Sequence, residues 1–174
     1  LNSVSSLTVT DPLRAREMIV KLSDFMRYSL SSRNEQPVTL GNEMESLRLY
    51  LQIEKVRFGD RLSIEEDISP DCLPALMPGM LLQPLYENAV KHGVYESTEE
   101  VTIKTTARKE NDIVTITVTN NVDTDSVVTR KGAGIGLKNV SSRLELFFGH
   151  KADLTVNHGD DSFTVIVRFP FRKS

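Results

Sequence analysis

Residues Leu81–Gly93, LLQPLYENAVKHG, set Glu, Asn, Lys, His and Gly behind an apolar run. A helix advances about 100° per residue, so Glu87, Lys91, Asn88 and His92 fall within an arc of roughly 140°. Leu82, Leu85, Tyr86 and Ala89 occupy the opposite side. One face is then core, and the other carries an amide, an ammonium and an imidazole, groups that suit phosphate oxygens and a hard cation. The same residues would also serve as the solvated face of an ordinary amphipathic helix, so the rest of the chain has to decide.

The chain has 174 residues, enough for one domain with a core, or a domain plus a helical appendage. Hydrophobic residues make up 39% and charged residues 26%, with a formal net charge of -3. That balance is ordinary for a soluble globular protein and has no excess of Lys and Arg, so no nucleic-acid partner is expected. The single cysteine, Cys72, excludes an internal disulfide and a multi-cysteine zinc site, which fits a reducing, cytosolic setting. No apolar run approaches the roughly 18 residues of a membrane span, and no signal peptide opens the chain. The opening LNSVSSLTV reads as the end of an apolar helix, and the sequence is expected to be a piece of a longer protein.

Asp11 and Pro12 form a helix start, a capping acceptor followed by the residue best tolerated in the first turn. Ala15, Met18/Ile19, Leu22, Phe25/Met26 and Ser29/Leu30 then recur at alternating steps of three and four. This seam fits either a core-facing helix or a helix of a dimerising bundle. SSRNEQPVT, with Pro37, breaks the pattern and divides residues 1–36 from residues 37–174. Thr39 can cap a second helix with Leu40, Met44, Leu47, Leu51 and Phe58 on one face and Gly59 at its end. RLSIEEDI alternates as a short strand, and Pro70, Pro74 and Pro78 keep the next segment irregular. VTIKTTA and DIVTITVTN form a strand pair joined by RKEND; ADLTVN and SFTVIVRFPF form another around HGDD. A helix with Leu137, Val140, Leu144 and Phe147/Phe148 on one face and Gly149 at its end lies between the pairs. The pattern predicts an α+β fold, a mixed and mostly antiparallel sheet covered by helices on one face.

GAGIGL, Gly132–Leu137, places three alternating glycines directly before that helix. Glycines admit close backbone approach, and a helix start offers unpaired donors, so the place suits phosphate. The spacing is GxGxG, which is neither the dinucleotide fingerprint nor a Walker A loop. By itself the segment is also compatible with a plain flexible loop leading into a helix.

Taken together, LLQPLYENAVKHG resembles the N box, and GAGIGL the G2 box, of the GHKL (Bergerat-type) ATPase fold, a two-layer α/β sandwich. With YLQIEKVRFGDRL before and GIGLKNVSSRLELFFG after, nearly the whole chain is similar to the LytS-type (YehU-like) sensor histidine kinases. The resemblance implies ATP and Mg²⁺ as cofactors. It implies Asn88 as metal ligand, and Lys91, His92, Gly132, Gly134, Gly136 and Leu137 around the nucleotide, with residues 121–135 as a lid. Asn120 stands where the fold has an Asp that accepts from the adenine amino group; an Asn oxygen can still accept, without charge. Glu87 is either a general base for the incoming imidazole or the i,i+4 partner of Lys91. The phosphoacceptor histidine is implied upstream of Leu1, since none of His92, His150 and His158 occupies its position. Also implied are a homodimer through the N-terminal helices, a response regulator of LytTR type, and a place as the cytoplasmic part of an inner- or plasma-membrane sensor. Two alternatives remain: a GHKL serine kinase of an anti-sigma system, and a degenerate nucleotide-binding or dimerisation module.

Overall fold

The computed structural model describes residues 2–31, 36–95, 97, 99–122 and 134–173. Two helices open it, α1 (Asn2–Thr10) and α2 (Pro12–Ser31). Asp11 separates them, and its Oδ1 accepts the Arg14 N–H at 3.1 Å, as expected of a cap before Pro12. The seam of α2 divides between its two possible uses. Ala15 and Met18 are buried, and Phe25 meets Tyr50 of α3 (Leu40–Phe58) with ring centroids 5.8 Å apart. Ile19 and Met26 instead look outward, with Val9, Leu13 and Val20. Thr39 caps α3 by accepting the Asn42 N–H at 3.2 Å, and Gly59, at φ 58°, ends it. Leu40, Met44, Leu47 and Leu51 form its buried stripe.

A short pair, β1 (Pro37–Thr39) and β3 (Leu76–Pro78), was not expected from sequence, because three-residue strands beside prolines carry no alternation to read. The main sheet has the order β2-β4-β5-β7-β6: β2 (Leu62–Ile68), β4 (Val101–Glu110), β5 (Ile113–Asn121), β7 (Ser162–Pro170) and β6 (Asp153–His158). Only the β2–β4 pairing is parallel; the other three are antiparallel. Parallel neighbours need a crossover of a dozen or more residues. Here the crossover carries α4 (Gln83–Ala89), the helix of the opening stretch.

The β4–β5 connection corrects an expectation. Pairing continues through Arg108 and Lys109 to Glu110 opposite Ile113, so the turn is not RKEND but Asn111–Asp112 alone. Both have positive φ, 48° and 61°, the combination whose twist matches the flanking strands. The inward positions are Val101, Ile103, Thr105 and Ala107 on β4, Val114, Ile116, Val118 and Asn120 on β5, and Val165, Val167 and Phe169 on β7. Against them pack Leu47 and Leu51 of α3, Leu85, Tyr86 and Ala89 of α4, and Val140, Leu144 and Phe148 of α5 (Gly134–Phe148). Each large apolar side chain so buried contributes about 1.5–3 kcal/mol. The Tyr86 hydroxyl, 2.6 Å from Thr105 Oγ1, finds a partner for a polar tip that this packing drives inside and pins α4 over the sheet.

Candidate functional site

The helix of LLQPLYENAVKHG buries the side that its periodicity assigns to the core: Leu82, Leu85, Tyr86 and Ala89 are at most 2% exposed. It does not run on regularly to Gly93. From Val90 to Val94 the turn is π-helical, with the Tyr95 N–H donating to Val90 O at 3.2 Å. Such a widened turn departs from α geometry and is common at functional sites. Gly93 therefore does not end the helix; it sits inside this turn. A Cβ on it would lie 2.8 Å from Val101 Cγ1 and 3.2 Å from Asn120 Nδ2, so the missing side chain lets the turn rest directly on the sheet.

The polar arc of α4 opens onto two flanks. On one, Glu87 and Lys91 line a cavity of about 480 Å³ with Tyr50, Glu54, Val90 and Tyr95. Glu87 accepts from Gln83 Nε2 at 2.7 Å, its neighbour one turn back. Burial pushes the Glu54 carboxyl above its usual range, against the pull of the nearby Arg57 guanidinium, and Glu87 adds to the rise. Glu54 Oε2 is buried without a hydrogen-bond partner among the described residues. The other flank carries Asn88. The first turn of α5 lies against it: a Cβ at Gly136 would be 3.9 Å from Asn88 Nδ2 and 3.9 Å from Pro84 Cβ. Asn88 Nδ2 is buried, again without a partner among the described residues. An unmet buried donor costs about 1–3 kcal/mol, which a ligand with acceptor oxygens would relieve. The amide fits a phosphate-and-cation ligand at both ends, its nitrogen donating to an oxygen and its oxygen facing a hard ion.

Asn120 closes the floor. It is 2% exposed, at the inward end of β5, and donates one amide hydrogen to Asn121 O at 3.0 Å. Asn121 clamps the neighbouring strand, accepting the Thr102 N–H at 2.7 Å and donating to Glu100 O at 3.0 Å. Thus Gly136 comes against Asn88, Gly93 of the following turn comes against Asn120, and Glu87 and Lys91 stand on the adjoining flank. His92 is half-buried on the widened turn. Leu137, 7% exposed, turns into the core and seats the first turn of α5. Gly134 begins α5, whereas Gly132 and most of the expected lid, residues 123–133, lie outside the described residues. His150 faces Glu145 and His158 packs on the Phe163 ring, both away from the site.

Several neighbours were missed in the sequence. Gln83 is spaced i,i+4 from Glu87, a legible signal. Glu54 carries none. Glu43 interrupts the apolar stripe of α3, a signal that could have been read. Arg57 stacks on Tyr95 with its guanidinium 4.6 Å from the ring centroid and donates to the Tyr95 hydroxyl. Arg61 donates to Val94 O at 2.8 Å and to Ser97 O. The two arginines of KVRFGDR thus hold the chain that leaves the widened turn.

The family described as Histidine kinase matches residues 1–62. Sensor protein LytS of Staphylococcus haemolyticus is 32% identical over 98% of this chain and 31% of its own length. Sensor histidine kinase BtsS of Escherichia coli K12 is 32% identical over 99% of this chain and 30% of its own. The chain thus spans under a third of these relatives. Among solved structures, the catalytic domain of histidine kinase ThkA superposes with a TM-score of 0.61 at 14% identity, over 78% of this chain and 95% of that one. The Acinetobacter baumannii histidine kinase AdeS does so with 0.58 at 12% identity, over 96% and 85%. The distant structures establish the fold alone, a two-layer α/β sandwich like that of histidine kinase catalytic domains. By sequence, nearly the whole chain is similar to one segment of the LytS and BtsS sensor histidine kinases.

Proposed function

We propose that this chain binds Mg-ATP and forms the phosphotransfer core of a sensor histidine kinase. The observation that carries this is the seating of Gly136 against Asn88 and Pro84, which sets the two polar motifs side by side. Bound there, Mg²⁺ would supply charge neutralisation on the phosphates, the main requirement of phosphoryl transfer together with positioning. Asn88 would hold it through its amide oxygen, with phosphate and water completing the shell. Backbone N–H groups at the start of α5, from Gly134 and Gly136, would meet phosphate oxygens, with Gly132 before them. Lys91 supplies a point charge at the rim and His92 a donor. Asn120, one amide hydrogen committed to Asn121 O, offers its oxygen to the adenine amino group. Glu87, held by Gln83 and open to the cavity, orients or deprotonates the incoming imidazole.

The acceptor imidazole comes from a histidine upstream of LNSVSSLTV, and the phosphoryl group passes on to an aspartate of a response regulator of LytTR type. Residues 1–36 form part of the dimerisation region and residues 37–174 the nucleotide-binding domain. Val9, Leu13, Ile19, Val20 and Met26, all exposed, give the partner helices an apolar face. In the intact protein this part is the cytoplasmic portion of a membrane sensor; among the described residues no helix is long and apolar enough to cross a membrane.

Calorimetric titration of the chain with ATP, with and without Mg²⁺, tests the reading. Binding should require Mg²⁺, and Asn88→Ala should weaken it at least about tenfold, the size of one charge-assisted contact, with a melting temperature no lower than that of the wild type. A folded chain without Mg-ATP binding would refute the reading and favour a degenerate module.

A further inference from the structure

Glu43 is 1% exposed within the buried stripe of α3. Its carboxylate accepts from two other parts of the chain. The Met80 N–H reaches Oε2 at 2.8 Å and the Leu82 N–H reaches Oε1 at 3.0 Å. From α2, the Tyr28 hydroxyl donates to Oε2 at 3.3 Å. Burial pushes the carboxyl up from its usual range, while these donors and the Arg143 guanidinium of α5 work against the rise. A buried carboxylate is kept only where such partners meet it.

The segment it grips is the turn immediately before α4. Met80 has φ 55°, a conformation that side chains other than glycine rarely adopt and that the surroundings must enforce. Arg143 holds the same turn from the other side, donating to the carbonyls of Gly79 and, at 3.1 Å, Met80. The donors of the turn therefore go to α3 and its acceptors to α5. Leu82, the residue capping α4, has no side-chain cap of its own. A carboxylate at this end also opposes the positive end of the α4 dipole.

We infer that Glu43 is a positioning residue: through the Gly79–Leu82 turn it fixes where α4 starts, and so where Asn88 stands against the first turn of α5. Through Tyr28 it makes that placement respond to α2, the helix that carries the exposed apolar face. The functional consequence rests on the proposed nucleotide site; the structural part does not. Gln at position 43 has nearly the same shape but turns an NH₂ group toward one of two backbone donors.

Amide hydrogen exchange and Mg-ATP titration on the full chain, for wild type, Glu43→Gln and Tyr28→Phe, test this. Exchange at Met80 and Leu82 should accelerate about tenfold in Glu43→Gln, as for one lost bond to a charged acceptor, and two- to threefold in Tyr28→Phe. Amides of β5 and β7 should keep wild-type protection in both. Mg-ATP affinity should fall in the same order, and adenosine affinity should hold. Unchanged protection at Met80 and Leu82, or equal acceleration throughout the sheet, would overturn the inference and leave Glu43 a contributor to global stability. Should Glu43→Gln fail to fold, Tyr28→Phe decides, because it leaves the carboxylate in place. Absence of Mg-ATP binding in the wild type would refute the nucleotide site, while the exchange pattern would still decide the role of Glu43.

Discussion

Replacing Gly93 by Ala tests how the widened turn rests on the sheet. The new Cβ would lie 2.8 Å from Val101 Cγ1 and 3.2 Å from Asn120 Nδ2, whereas carbon atoms settle at about 3.5–4.0 Å. Val101 is 1% exposed, β-branched and in a strand paired on both sides, so its methyl has nowhere to swing. The turn must rise by roughly 0.7 Å to reach ordinary carbon contact. Overpacking of this kind costs about 1–3 kcal/mol. Against it stands a gain of up to about 1 kcal/mol from exchanging Gly for Ala in helical backbone. Taking the middle of the overpacking range, about 2 kcal/mol, the net loss is about 1–1.5 kcal/mol, which lowers the melting temperature of a chain this size by roughly 2–6 °C. Thermal and urea unfolding read the loss, and adenosine titration reads the accompanying shift of Asn120. In a Val101→Ala background the obstructing methyl is gone, and the same change at Gly93 should be neutral or stabilising. Equal cost in both backgrounds, or no cost in the wild type, would refute the close approach.

Gly136→Ala should behave in the opposite way. Among the described residues its Cβ would meet only ordinary contacts at 3.9 Å, so the melting temperature should hold or rise, while triphosphate affinity falls more than adenosine affinity; equal losses for the two ligands would point to a distorted α5. Asn120→Asp removes the hydrogen donated to Asn121 O and sets a charge against that carbonyl, which should cost about 1–3 kcal/mol in unfolding experiments. The same carboxylate accepts more strongly from an amino group, so competition titration should show ATP favoured over GTP several-fold more than in the wild type; an unchanged ratio would remove Asn120 from the base pocket.

What the sequence showed, and what it hid, divides by the range of the forces involved. Thr39, Asp11, Gly59 and Gly149 were legible because a cap or a left-handed residue acts within one turn of its own position. The burial of Asn120 was legible too, since alternation along β5 sets it in register with Val114, Ile116 and Val118. The parallel partner of β2 was not, because alternation assigns a strand its faces but not its neighbour. The widened turn at Val90–Val94 escaped for a related reason. A helical wheel assumes the spacing it is meant to test, and nothing in VKHGV announces that its backbone will bond to the fifth residue along. Gly93 then looks like a terminator, when it is the place where that turn touches Val101 and Asn120 from a distant part of the chain. The local rule thus fails at the contact that brings α4 onto the floor of the site. Regularity yields first where several functional groups must be held at one point, and here α4 had to keep Leu85 and Tyr86 in the core while leaving Asn88 free to face α5.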